Sequence, residues 1–522
     1  MTRTKLLGPS ALFVVALSVA GYAVLQESTS LKTSFTKAEF QIPMRDGTKL
    51  FTAVYAPRDT SQKYPILLTR TPYSIAPYGK ENYARRLGPS ALFAKEGYIV
   101  VYQDVRGKHM SEGQYVDVRP HNPNKKTKTD IDEASDTYDT IEWLLKNVPN
   151  HNGRVGMWGI SYPGFYTTTG ILSGHPALKA ASPQAPIADW FIGDDDHHNG
   201  ALFLMDSFSF NLALGWPRPQ PTTSEFREFS YGTADGYKFY LELGPVANAQ
   251  RKYFRGQVAY WNELIKHSTY DEFWQARNIL PHLKNIKAAV LTVGGWYDAE
   301  DLYGPLKTYQ TIEKNNPGIT NHLIMGPWCH GCWSGSGEQL AGFNFGSRTG
   351  TWYQENVELP FFNYYLKDQG KLKLPEATIF ETGVNEWRAY PQWPPTNTQE
   401  RSLYLRANGK LSFEAPTETA GYDQYVSDPT DPVPYSAKIT MERGTRYMIE
   451  DQRFAAKRAD VLSYQSDELK EDLTLTGPIV AQLFAATSGT DSDFIVKLID
   501  VLPDGTQMLV RWEVMRGKFR NR

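Results

Sequence analysis

A serine set between glycines ends the segment Arg154-Val-Gly-Met-Trp-Gly-Ile-Ser-Tyr-Pro-Gly-Phe165. The apolar run before it reads as a strand, and a helix can follow through about Leu172. On such a turn the Ser161 hydroxyl would project from the end of a sheet, free to act as a nucleophile. Gly159 and Gly164 suit a strained turn that packs closely on its neighbours. A helix N-terminus behind the serine would add positive potential where an oxyanion forms. The second glycine stands at +3 and Pro163 at +2, which departs from the commonest elbow spacing.

A serine nucleophile needs a base and an acid that orients the base, in chain order Ser, then Asp or Glu, then His. Asp298 follows the apolar run Ala288–Val293 and the loop Gly294-Gly-Trp-Tyr297. His330 follows His322–Met325 and the loop Gly326-Pro-Trp-Cys329. Both fall just past the C-terminal ends of predicted strands, where open α/β sheets bind ligands. Taken singly, they would be a loop carboxylate and a surface histidine. Order and placement together favour a triad of Ser161, Asp298 and His330.

The elements that must carry these residues alternate. Phe40–Pro57 predicts two strands around the turn Arg45-Asp-Gly47. Tyr64–Thr69 and Tyr98–Tyr102 are short apolar runs without alternation, as in a parallel sheet covered on both faces. A helix is expected over Asn82–Glu96, another over Asp130–Asn147, and strands at Ala288–Val293 and His322–Met325. Phe191–Leu280 interrupts the rhythm with aromatic, partly helical sequence such as Tyr253–His267, and reads as an inserted cap. From about Pro375 the texture turns to strands: Ala377–Phe380, Arg401–Leu405, Ile479–Phe484, Phe494–Val501 and Gln507–Val514.

The expected fold is therefore α/β: an α/β-hydrolase core with an inserted helical cap and a C-terminal β-sandwich, a jelly roll. The core spans 33–190 and 282–370, the cap 191–281 and the β domain 371–522. Only about six strands are legible in the last, against roughly eight in a jelly roll, so it is expected to be incomplete.

The chain has 522 residues and a formal net charge of -2, with 55 basic and 57 acidic residues. No basic field or run would draw nucleic acid, so a small molecule or peptide is the expected partner. Oligomeric state is left open, a homo-oligomer included. Thr2-Arg-Thr-Lys5 followed by the apolar Leu6–Leu25 reads as a signal peptide, residues 1–25, with an uncleaved anchor as the alternative. An exported, periplasmic or secreted protein is expected.

Five segments together resemble the α-amino acid ester hydrolases, which belong with cocaine esterase, the glutaryl acylases and the X-Pro dipeptidyl-peptidases. They are Arg70-Thr-Pro-Tyr73, Gln103-Asp-Val-Arg-Gly107, Gly159-Ile-Ser-Tyr-Pro-Gly164, Trp296-Tyr-Asp-Ala-Glu-Asp301 and Gly326-Pro-Trp-Cys-His330. The resemblance runs from about residue 35 to the C-terminus. It implies the same triad, and an oxyanion hole made by the Tyr162 backbone N–H and the Tyr73 phenol. It also implies that Asp195, Glu300 and Asp301 hold a substrate ammonium group. Clustered carboxylates in a desolvated pocket need a cation, although a Ca²⁺ site or a solvated run at Asp194-Asp-Asp-His-His198 would also fit the spacing.

The resemblance implies hydrolysis of esters and amides of α-amino acids, including β-lactams with an α-amino acyl side chain. Transfer of the acyl group to an amine is a further outcome. No cofactor and no metal is called for. The rival readings are an X-Pro dipeptidyl-peptidase, a glutaryl-type acylase, and a secreted carbohydrate-binding protein on an inactive scaffold. Cys329 and Cys332 flank the proposed base, and their spacing leaves a disulfide and two free thiols equally open.

Overall fold

The computed structural model describes residues 31–223, 229–418, 421–441 and 444–521. The expected signal peptide lies outside them. Among the described residues no helix is long and apolar enough to cross a membrane.

A ten-stranded sheet forms the scaffold. Its strands are β1 (Phe35–Pro43), β2 (Lys49–Pro57), β3 (Tyr64–Thr71), β4 (Ile99–Asp104), β5 (His151–Ile160) and β6 (Leu178–Gln184). They continue as β7 (Ala289–Gly295), β8 (Asn321–Gly326), β9 (Ala377–Glu381) and β10 (Glu386–Tyr390). The spatial order is β1-β2-β4-β3-β5-β6-β7-β8-β9-β10. Strands from β4 to β9 run parallel, and the β1–β2 hairpin and β10 close the two sides antiparallel.

Consecutive residues Ile66, Leu67 and Leu68 of β3, and Ile99, Val100 and Val101 of β4, are all 0% exposed. Only a sheet covered on both faces buries neighbours that point in opposite directions. On one face Ile141 and Leu144 of helix α1 (Glu133–Asn147) pack against Ile66 and Leu68. The other face receives Phe361, Phe362 and Leu366 of a late helix, Leu359–Lys367, against Leu67 and Val100.

Several expected boundaries move for local reasons. Helix α1 starts at Glu133 because Asp132 caps it, its side chain accepting from Ser135 N while the Ser135 hydroxyl meets Asp132 N. The helix expected over Asn82–Glu96 shrinks to Ala91–Glu96, since Gly88 takes φ 76° just before Pro89. Within the segment expected as a cap lie α3 (Leu204–Leu214), α4 (Gly236–Leu243) and α5 (Ala259–Lys266), following α2 (Tyr162–Ile171) of the core. The helix expected over Tyr253–His267 breaks at Arg255-Gly256, both left-handed, and resumes at Ala259.

The C-terminal expectations also shift. Ala377–Phe380, read as the start of the β domain, instead extends the main sheet as β9. Beyond it stand two separate antiparallel ladders: β11 (Tyr404–Arg406) with β12 (Lys410–Ser412), and β13 (Asp493–Val501) with β14 (Gln507–Arg516). Ile479–Phe484, expected as a strand, has no ladder partner and leaves Phe484 exposed. The described C-terminal residues thus form separate strands. One of these, β14, docks on the main body, where Glu513 pairs with His198 Nδ1 at 2.9 Å and Trp512 stacks near the His198 and Phe203 rings.

Candidate active site

Ser161 sits between β5 and α2 with φ 67° and ψ −128°, a strained conformation for a residue with a side chain. The flanking glycines answer to close packing. A Cβ on Gly159 would run into the Pro163 carbonyl, and one on Gly164 would lie 2.5 Å from the Gln184 carbonyl oxygen. Pro163 falls in the first turn of α2, where its missing N–H costs no helical bond. Pro163 at +2 and Gly164 at +3 thus both fit the local packing of the elbow.

Tyr162 opens α2, so its backbone N–H belongs to the turn that has no helical acceptor. Its ring is fully buried, and its hydroxyl accepts from Val118 N at 2.6 Å. The Tyr73 hydroxyl lies 3.5 Å from Ser161 Oγ. Burial pushes the Tyr73 phenol well above its usual range, against a small opposing effect of Ser161, so it stays a donor. Both expected oxyanion donors thus flank the serine.

Asp298 lies beyond β7 and His330 beyond β8. The two meet as expected: His330 Nδ1 is 2.9 and 3.1 Å from the Asp298 carboxylate oxygens. Asp298 Oδ1 also accepts from Glu300 N at 2.8 Å and Asp301 N at 3.0 Å, which fixes the loop. Its carboxyl is held low despite burial, chiefly by the charge of His330. No hydrogen bond joins His330 to Ser161 among the described residues; His330 Nε2 is buried and makes no hydrogen bond. Catalytic hydrogen bonds often tighten only when substrate arrives.

The three acidic positions converge on this histidine. Glu300 Oε2 is 3.5 Å from His330 Nε2, and Asp301 Oδ2 is 4.0 Å from Nδ1. Asp195 N donates to the Glu300 carbonyl at 3.0 Å, and Asp195 Oδ2 accepts from Trp190 Nε1 at 2.9 Å. Asp301 is fully buried, and neither of its carboxylate oxygens has a donor. Burial and then the charges of Asp195 and Asp194 push its pKa well above the usual range. Burial works against a charge on His330, but Asp298 and then Glu300 outweigh it and raise the imidazole to about 10.

The run Asp194-Asp-Asp196 divides by function. Asp194 accepts from the backbone N–H groups of Ala188, Asp189 and Gly304 at 2.8 to 2.9 Å. Asp196 accepts from Ser207 at 2.6 Å and from Tyr260 at 2.5 Å. Both are buried, so the alternative of a solvated surface run does not hold. Only Asp195, in a left-handed backbone conformation, belongs with Glu300. Among the described residues no group of three or more His, Cys, Asp or Glu could hold a metal ion.

Cys329 and Cys332 are joined as a disulfide with Cα atoms 5.2 Å apart, enclosing His330. Two motif residues support the site from behind. Arg70 is fully buried, donating to Gln103 Oε1 at 2.8 Å and to the Glu133 carbonyl at 3.0 Å. Arg106 bridges Asp136 and Asp46, each at 2.7 Å. Sequence reasoning missed Arg511 of β14, which burial holds below its usual range against the charges of Glu513 and, more weakly, Asp298, and whose Nη1 makes no hydrogen bond. Its distance along the chain left no local signal.

Fold and site together define a serine hydrolase on an α/β scaffold. The chain belongs to the X-Pro dipeptidyl-peptidase (S15) family, which matches residues 46–332. The X-Pro dipeptidyl-peptidase C-terminal non-catalytic domain matches residues 360–522. Similar proteins include the cocaine esterase of Rhodococcus, 29% identical over 504 residues, covering 92% of this chain and 82% of that one. Among solved structures, an aminopeptidase from a marine sediment Thaumarchaeota archaeon is 36% identical with a TM-score of 0.86, covering 94% of this chain and 82% of the other. An α-amino acid ester hydrolase is 33% identical with a TM-score of 0.85, covering 94% and 83%.

Proposed function

We propose that the protein hydrolyses esters and amides of small α-amino acids through an acyl-enzyme on Ser161. The observation that carries this reading is Asp301. A buried carboxyl with no donor, beside Asp195, Glu300 and Asp298, carries its charge at low cost only when a cation joins it. A substrate ammonium group supplies that cation and places the adjoining carbonyl over Ser161. Each charge-assisted hydrogen bond to it contributes about 1.5–3 kcal/mol.

His330 takes the Ser161 proton as the hydroxyl attacks, and Asp298 fixes the ring with Nδ1 protonated. The tetrahedral oxyanion rests on Tyr162 N–H and the Tyr73 hydroxyl. His330 then protonates the leaving group, and water, activated by the same imidazole, releases the acid. An amine such as a β-lactam nucleus can replace water and receive the acyl group. A glutaryl carboxylate fits poorly beside three acidic residues. The family match and the similar aminopeptidase favour release of N-terminal peptides as a second activity of the same ammonium site.

Asp195→Asn tests the reading. KM for α-amino esters is expected to rise about tenfold or more, the loss of one charge-assisted contact, with des-amino esters little changed. Equal effects on both would refute ammonium recognition. A panel of α-amino esters, ampicillin-like amides, glutaryl amides and X-Pro peptides then ranks the activities.

A further inference from the structure

The Tyr73 hydroxyl can stabilise an oxyanion only if its loop is held in place; within the loop Tyr73 N donates to Thr71 Oγ1 and Ala76 N to Ser74 Oγ, and further bonds come from outside it. Ser74, directly after Tyr73, takes φ 86°, an unfavourable backbone for a residue with a side chain. Two groups of the 104–111 loop restrain it. Asp104 accepts from Ile75 N at 3.0 Å and from the Tyr78 hydroxyl at 2.9 Å, and on its other side from Met110 N at 3.2 Å. His109 Nε2 donates to the Pro72 carbonyl at 3.1 Å. The residue before Tyr73 and the residues after it are thus both tied to one loop.

That loop is in turn gripped from the segment after α3. Arg218, between Pro217 and Pro219, donates from Nε to the Gly107 carbonyl at 3.0 Å, from Nη1 to His109 at 2.6 Å, and from Nη2 to Ser111 at 2.6 Å. Thr222 N adds a bond to the His109 carbonyl at 2.8 Å. Flanking prolines restrict the backbone that presents the guanidinium. Its planar fork presents donors in fixed directions, so three diverging carbonyls are held by one rigid group. The Arg218 charge also lies within reach of the Asp104 carboxylate.

We propose that Arg218 is a positioning residue for the oxyanion hole. It locks the 104–111 loop, and through Asp104 and His109 it sets the Tyr73 hydroxyl over Ser161. The segment after α3 then does more than cover the cleft, because the second oxyanion donor is in register only when Arg218 is seated. This inference rests on the reading of Tyr73 as an oxyanion donor.

A double-mutant cycle tests it. Losing one oxyanion donor outright costs about 10²–10³ in kcat, and a donor left in place but loosened should lose part of that. Arg218→Ala is expected to lower kcat about 10- to 100-fold with KM for an α-amino ester nearly unchanged, and to weaken a boronic acid transition-state analogue in parallel. Arg218→Lys, which keeps the charge but not the fork, should recover only a small part. In the Tyr73→Phe background Arg218→Ala should have little further effect, since its target is gone. Full kcat in Tyr73→Phe alone would overturn the oxyanion reading itself. An impaired Tyr73→Phe with fully multiplicative losses would overturn only the role of Arg218. Thermal melting is followed throughout, and if Arg218→Ala does not fold, Arg218→Lys carries the cycle with the same two outcomes.

Discussion

Glu300 offers the sharpest perturbation, because it faces the nitrogen that must accept the serine proton. Its Oε2 lies 3.5 Å from His330 Nε2, with the Glu300 side chain 26% exposed. At that distance Coulomb's law gives about 1.2 kcal/mol in a water-like medium and about 4.7 kcal/mol at an effective dielectric of 20. These correspond to about 1 to 3.5 pKa units on the imidazole. Partial exposure argues for the lower half of the range. Glu300→Gln keeps the shape and removes the charge, so the His330 pKa should fall from about 10 by about 1 to 2 units.

The sign follows from the role of the base. His330 works only when neutral, so activity is present above its pKa and lost as pH falls through it. With a pKa of about 10, only about one molecule in a hundred of the free enzyme is ready at pH 8. The assay is the pH profile of kcat/KM, which reports the free enzyme, on a des-amino ester that brings no ammonium of its own. In Glu300→Gln the acidic limb moves down, and at pH 7 the variant is about tenfold or more faster than the parent on this substrate. On an α-amino ester the same variant binds less well. An acidic limb in the same place in both proteins, within about 0.3 unit, would show that Glu300 does not control the base.

The other expectations are simpler. Ser161→Ala abolishes esterase turnover and labelling by a fluorophosphonate while the melting curve stays that of the parent; turnover that survives removes the nucleophile. Asp194→Ala strips three backbone N–H groups of their acceptor, so denaturant unfolding should show a loss of about 2–4 kcal/mol; a loss under about 0.5 kcal/mol would mean the loop re-pairs them. The Cys329–Cys332 bond encloses His330, so a dithiol reductant should lower kcat of the parent and leave the Cys329→Ser/Cys332→Ser variant unaffected; the same response in both would place the effect elsewhere.

What the sequence made legible was whatever is local. The elbow around Ser161, the loops after β7 and β8, and the non-alternating strands each carry their signal within a few residues; in the structure Asp298 pairs with His330, and Tyr73 lies against Ser161. Boundaries failed where one backbone angle decides. Gly88-Pro89 cuts a helix short, and Arg255-Gly256 splits another, although the apolar spacing runs on through both. Partners distant in the chain failed for a different reason. The docking of β14 on His198 joins residues 315 positions apart. Arg218 reads as one more cation in a proline-rich loop until its three carbonyl acceptors are seen.

The acidic run shows why spacing alone could not settle the ammonium question. Asp194, Asp195 and Asp196 are equivalent on paper. In the fold, two of them have their oxygens occupied by backbone and hydroxyl donors. Asp195 accepts from Trp190 Nε1 and bonds to the Glu300 carbonyl through its own N–H, which sets it beside the histidine loop. The acids left there are the ones that hold the His330 proton, so one set of charges bears on both binding and catalysis. On the proposed reading, an arriving ammonium group would neutralise the carboxylates that keep the imidazole protonated, and so lower the cost of freeing the base. A neutral acyl group does not. The selectivity for α-amino substrates proposed here should therefore appear in kcat as well as in KM, since the substrate that fits the cage is also the one that readies His330.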